Sequence, residues 1–246
     1  SMEITEQLVF SMAEAGADLI ELGIPFSDPV AEGPVIQEAS QRALSGGASV
    51  DRIFDMVKHI RRTCDVPIAF MTYVNPVFAY DPNRFMKNCR ECDVDAIIVP
   101  DLPFEERWEL MPFCLKHGIF LISMISPASK DRIRMIAREA RGFIYCVSSM
   151  GVTGIRQHIG DDVREMVGLV REVSDIPCAV GFGISTPEQA SRMAEIADGV
   201  IVGSAIVKIV GQYGEECVPH VSGYVRTMKA AVSKVQPMQD FRRYGI

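Results

Sequence analysis

The chain has 246 residues, 48% of them apolar and 23% charged, with a formal charge of −7. That charge, with no run of lysine and arginine, argues against a nucleic-acid-binding surface. No apolar stretch approaches the roughly 18–20 residues that span a bilayer, so no membrane is expected as a partner.

No positively charged start followed by an apolar core marks a signal peptide. The seven cysteines stand mostly alone, several inside apolar runs. They read as reduced, packed thiols of a cytoplasmic protein. Cys89 and Cys92 form one C-x-x-C, but no second Cys or His pair lies at zinc-site spacing, and no metal is expected.

Helical periodicity covers residues 4–15, and a short apolar run at 19–22 reads as the first strand. A loop rich in glycine and proline follows, then helices at 34–44 and 50–62. From there strands are predicted at 67–73, 96–99, 120–125, 143–147, 178–180 and 200–202. Helices are predicted between them at 82–92, 105–117, 131–140, 161–173 and 187–196, with a C-terminal helix broken near 211–214. Such alternation demands parallel pairing with helical crossovers, and near-continuous apolar strands are buried on both faces. The expected fold is α/β, a TIM-type (β/α)8 barrel with seven strands recognisable and the first apparently missing. One domain is expected over residues 1–231, followed by a polar tail at 232–246 that is expected to be mobile.

In a parallel barrel the chemistry lies at the C-terminal strand ends. After the strand at 178–180 comes Gly181-Phe182-Gly183-Ile184-Ser185, and after that at 200–202 comes Gly203-Ser204-Ala205. Two glycine-rich loops opening helices side by side suit a phosphate; the plainer alternative is a pair of tight turns. A third loop, from Ser148 to Gly154, is either a lid or a connector. Tyr145 precedes it and could point its hydroxyl inward or simply fill the core.

Glu21 is an acid inside an apolar strand. With Ile20 and Leu22 turned to the helices, Glu21 and Gly23 face the barrel interior. A buried carboxylate there would have a raised pKa and could exchange a proton near neutral pH; the alternative is a structural ion pair. Glu32, on the next loop, offers a second carboxylate. None of the four histidines falls at a strand end, and neither a nucleophile elbow nor a P-loop is present.

Six segments, ADLIELGIPFSDPVAEGPVIQ, NPVF, VPDLPFEE, SSMGVTG, GFGIS and VGSAIVK, together resemble the tryptophan synthase α-subunit family, in order from about Glu3 to Ala231. The resemblance implies a TIM barrel that cleaves indole-3-glycerol phosphate to indole and glyceraldehyde 3-phosphate, a lyase reaction needing no cofactor. It assigns Glu21 as general acid and base, and Glu32 to the position of an aspartate that bonds the indole N–H. Tyr145 matches a tyrosine near the catalytic glutamate. Phe182 would stack on the indole, with Met71, Ile98, Pro100 and Met124 lining the pocket and Thr153 contacting it from the lid. Gly154, Gly183, Gly203 and Ser204 match phosphate-binding positions. The family's partner is a β subunit in an α2β2 assembly, and pyridoxal phosphate is expected only on that partner. Pro25, Asp28, Asn75 and Asp101 fall on the segments that would contact it.

Three features depart from the family pattern. Glu32 is one methylene longer than the usual aspartate, and Pro100 replaces a smaller residue. The family's first strand has no counterpart here. Two exposed strand edges, weakened stability, self-association and low activity are therefore expected. Three other readings stay open: an impaired partner that only activates a β subunit, a stand-alone lyase, and another phosphate-binding barrel of aromatic amino-acid biosynthesis.

Overall fold

The computed structural model describes residues 1–30, 32–127, 129–147, 159–181 and 183–235. The chain divides into two compact units, Ser1–Leu121 with Val207–Arg226, and Ile122–Ile206 with Thr227–Ile246.

The first unit begins with α1 (Met2–Glu14), β1 (Ile20–Gly23), α2 (Pro34–Ser45), α3 (Val50–Ile60) and β2 (Ile68–Met71). It continues through α4 (Val74–Tyr80), α5 (Pro82–Glu91), β3 (Ala96–Ile98), a 3-10 turn (Phe104–Glu109), α6 (Met111–His117) and β4 (Phe120–Leu121). Its strands pair in parallel in the order β1-β2-β3-β4. Ile20, Leu22, Ile68, Phe70 and Ile97 pack into one core with Val9 of α1 and with Ile53, Phe54 and Val57 of α3. Burying that stripe of α3, which is capped by the Ser49 hydroxyl and has Asp51 in its first turn, holds the helix to the sheet.

The second unit contains β5 (Ser123–Ile125), α7 (Lys130–Glu139), β6 (Ile144–Val147), α8 (Ile159–Arg171), β7 (Cys178–Gly181), α9 (Pro187–Ala194) and β8 (Gly199–Val200). Its four parallel strands run β5-β6-β7-β8. The helices α10 (Ser204–Tyr213) and α11 (Cys217–Ser233) follow, separated by a 3-10 turn at Gly214–Glu216, so the break expected near 211–214 is present.

Three details depart from the sequence reading. The strand expected at 120–125 is two segments, β4 bonded to β3 and β5 bonded to β6, with Ile122 between them. The helix expected at 105–117 is a 3-10 turn followed by α6, because Pro112 at the start of α6 has no N–H to carry the ladder through. The NPVF segment, for which no element is predicted from the sequence, lies in α4; the Val74 N–H at its first turn is taken by the Asp101 carboxylate at 3.0 Å.

Each unit fixes the start of a central strand with an Arg–Asp staple. In the first, the Ile68 N–H and the Arg61 guanidinium both donate to Asp95 Oδ2, at 2.8 and 2.9 Å. In the second, the Cys178 N–H donates to Asp198 Oδ2 at 2.9 Å and Arg171 donates to Oδ1 at 3.4 Å. The seven cysteines are free thiols and all are buried, as their apolar settings suggest. Cys89 lies on α5 and Cys92 caps it.

Candidate active site

Glu21 is the second residue of β1, and strand alternation sets it opposite the helix-facing Ile20 and Leu22. Its neighbours in register are Ala69 of β2 and, beyond it, Ala96 of β3. Both alanines are fully buried, and their small side chains leave space for a carboxylate in an apolar surrounding. Solvent reaches part of the Glu21 side chain, yet protein crowds its carboxyl on nearly every side. Desolvation by that burial, with the negative charge of Glu32 second, raises its pKa to about 7. Among the described residues no cation pairs with Glu21. A carboxyl that is half protonated near neutrality can both give and take a proton.

One step further along the same sheet face, Gly23, Met71 and Ile98 are in register. Met71 and Ile98, both expected to line a pocket, therefore stand side by side just beyond Glu21, towards the C-terminal strand ends. Pro100 follows, half-buried, two residues after β3.

Glu32, half-buried on the loop after β1, is the second carboxylate near this face. Burial raises its pKa and a hydrogen bond from Tyr73 works against that rise. The Tyr73 hydroxyl donates to Glu32 Oε1 at 3.2 Å, and its ring lies 5.6 Å from that of Phe26. The Glu32 carbonyl accepts from Gln37 Nε2 of α2 at 2.8 Å, tying the loop to the helix that follows. Tyr73 closes the strand predicted at 67–73 and has no role assigned from the sequence. Strand parity is the available signal: Tyr73 continues the face of Ala69 and Met71 as a hydroxyl-bearing ring at the C-terminal end.

The second unit supplies a row of its own, Met124 of β5, Tyr145 of β6, Ala179 of β7 and Gly199 of β8. Tyr145 is buried and leans along β7 over Gly181, where an added Cβ would lie 2.5 Å from the Tyr145 hydroxyl oxygen and 2.7 Å from its ring. Only glycine at 181 leaves the ring that position. Gly183 has φ +74°, which glycine adopts without strain. The loop continues into α9, whose Thr186–Gln189 capping box also draws the Ser185 N–H onto Gln189 Oε1 at 2.9 Å. Gly203 and Ser204, both exposed, stand at the N-terminal end of the ten-residue helix α10. A Cβ at Gly203 would meet nothing within 4 Å, so its backbone is open to approach. Thr153, Gly154 and Phe182 lie outside the described residues.

The four residues expected at a partner surface all follow strands of the first sheet. Asp28 and Asn75 are exposed, Pro25 and Asp101 half-buried. Asp28 accepts the Ser27 hydroxyl at 2.5 Å, and Asp101 already caps α4. Among the described residues no group of three or more His, Cys, Asp or Glu side chains could hold a metal ion, and no helix is long and apolar enough to cross a membrane.

Comparison with known proteins shows the family. The family described as "Tryptophan synthase alpha chain" matches residues 1–233. The tryptophan synthase alpha chain of Lacticaseibacillus casei is 45% identical over 230 residues, 94% of this chain and 86% of that protein. That of Geobacter sp. (strain M21) is 47% identical over 232 residues, 94% of this chain and 87% of the relative. Among solved structures, the alpha chain from Legionella pneumophila superposes with a TM-score of 0.84 at 35% identity, covering 96% of this chain and 88% of that one. A chain of the tryptophan synthase a2b2 complex from Pyrococcus furiosus gives 0.85 at 35% identity, covering 94% and 93%. The fold class is accordingly the α/β, (β/α)8-type fold expected from the strand–helix alternation. The chain belongs to the tryptophan synthase alpha chain family.

Proposed function

We propose that this chain cleaves indole-3-glycerol phosphate to indole and glyceraldehyde 3-phosphate, as the α subunit of a tryptophan synthase. The observation that carries the reading is Glu21, a strand carboxyl with a pKa raised to about 7 and a second acid within electrostatic reach. Protonated Glu21 delivers its proton to indole C3, and the ring becomes cationic at nitrogen. Glu32, as carboxylate, accepts the indole N–H and stabilises that charge. Ionised Glu21 then helps remove the proton of the glycerol hydroxyl. The oxygen pair forms the aldehyde, and the electrons of the broken C–C bond return to the ring to give indole. One proton enters and one leaves, so no metal or organic cofactor is required.

In the same reading Tyr145 takes the role of the family's pocket tyrosine, Met71, Ile98, Pro100, Met124 and Phe182 are assigned to contact the ring, and Thr153 is assigned to the lid. Gly154, Gly183, Gly203 and Ser204 hold the phosphate, a role supported by the glycine conformation at 183 and by the helix start at Ser204. Pro25, Asp28, Asn75 and Asp101 contact a β subunit, which carries pyridoxal phosphate and takes up the indole. Mutual activation in the tryptophan synthase a2b2 complex of Pyrococcus furiosus supports such a partner. The buried reduced thiols fit the cytoplasm.

The test is indole release from indole-3-glycerol phosphate by the wild-type chain and by Glu21→Gln, with and without added β subunit. A loss of about 10²- to 10⁴-fold in the variant is expected for removal of a general acid–base. Equal rates in the two proteins would remove Glu21 from the chemistry.

A further inference from the structure

Glu32 ends in a carboxylate three rotatable bonds from its backbone and sits half-buried on a loop. A group that must meet an N–H in one direction needs an external partner to hold it, since a misplacement on the order of 1 Å can cost a hundredfold. Tyr73 is placed to do this. It is only 4% exposed, its ring is packed against Phe26 of the same loop, and its hydroxyl donates to Glu32 Oε1 across 41 positions of sequence. The backbone beneath it is equally fixed: the Thr72 N–H donates to the Ile98 carbonyl, and the Val74 N–H is held by Asp101. The donor is thus fixed at the end of β2, and Glu32 reaches it from the loop after β1.

We propose that Tyr73 is a positioning residue for Glu32, selecting through its hydroxyl the one carboxylate orientation that leaves Oε2 directed at the indole nitrogen. This rests on the functional reading above and deepens it. A merely space-filling Tyr73 would keep its role as phenylalanine; a positioning Tyr73 would not. Among the described residues the titratable groups that interact with Glu32 are Glu21 of β1 and Tyr73 itself, Gln37 of α2 being neutral. Because the Tyr73 bond favours ionised Glu32, its removal moves the acid limb of the rate profile to higher pH.

The experiment compares wild type, Tyr73→Phe, Glu32→Gln and the double variant, each with the β subunit present, in indole release across pH 5–9. Tyr73→Phe is expected to lose about tenfold in kcat, the scale of one hydrogen bond to a charged group, with the acid limb shifted upward. The double variant is expected to be no slower than Glu32→Gln alone. Losses that add in the double variant, or an unshifted profile in Tyr73→Phe, would overturn the proposal while an active wild type left the functional reading intact. No indole from the wild type would overturn the reading and the proposal with it.

Discussion

The two units repeat one arrangement and load it with different chemistry. In the first, the Ile20 N–H of β1 donates to the Pro67 carbonyl at 2.9 Å; in the second, the Ile144 N–H of β6 donates to the Pro177 carbonyl at 2.8 Å. The next strand starts in each case beside an Arg–Asp staple, within Asp65-Val66-Pro67-Ile68-Ala69 and Asp175-Ile176-Pro177-Cys178-Ala179. Aligned this way, Glu21 and Tyr145 hold equivalent positions. Each has an alanine beside it in register, Ala69 or Ala179, and a small residue beyond, Ala96 or Gly199. The frame makes room on its inner row, and the sequence decides whether an acid or a phenol takes it. The cost of that choice falls unequally, because only Glu21 carries a charge that burial penalises.

The largest expected difference follows from that charge. The folded pKa of Glu21 is raised to about 7 from 4.5, so between those values the native state holds more proton than the unfolded chain. Its contribution to stability is full below about pH 4.5 and is lost as pH rises through 7. The shift amounts to about 3 kcal/mol. Urea denaturation at pH 4.5 and pH 8 should show this loss in wild type and not in Glu21→Gln; parallel curves for the two proteins would contradict it.

The staples give the next two contrasts. Arg61, 11% exposed, donates to the carbonyls of Cys64, Val66 and Asp93 as well as to Asp95, whereas Arg171 is 55% exposed and reaches Asp198 through a single 3.4 Å bond. Arg61→Ala should cost about 2–3 kcal/mol, below the full value for a buried pair because Asp95 keeps contact with water. Gly181→Ala should cost about 1–2 kcal/mol and displace Tyr145, since the added methyl overlaps its ring and hydroxyl. A Tyr145→Leu change alongside it should recover the stability and leave activity low. Arg171→Ala should cost under about 1 kcal/mol. Thermal melts of these variants rank the sites, and a larger loss at Arg171 than at Arg61 would break the comparison.

Much of the frame was legible because it is written locally. Ile20 and Leu22 alternate with Glu21, so an acid opposite an apolar face could be seen without knowing what covered it. Caps such as Ser49 and Thr186 lie within three residues of the N–H groups they satisfy. The partners that were missed are far apart in sequence: Tyr73 and Glu32 by 41 positions, Arg61 and Asp95 by 34, Arg171 and Asp198 by 27. The internal repeat escaped for a related reason. Its shared features are hydrogen bonds between segments distant in sequence, and the run of matching residues, Arg61 to Ala69 against Arg171 to Ala179, is short.

The sequence by itself therefore determined the order of strands and helices, the place of Glu21 on an inner row, and the glycines at the C-terminal ends of β7 and β8. Periodicity and the steric freedom of glycine act within a few residues and need no tertiary context. Only the folded chain decided that Glu21 would titrate near neutrality, that Tyr73 would hold Glu32, and that Gly181 would clear a place for Tyr145. Those outcomes depend on desolvation and on contacts between strands, which exist only once distant segments pack together.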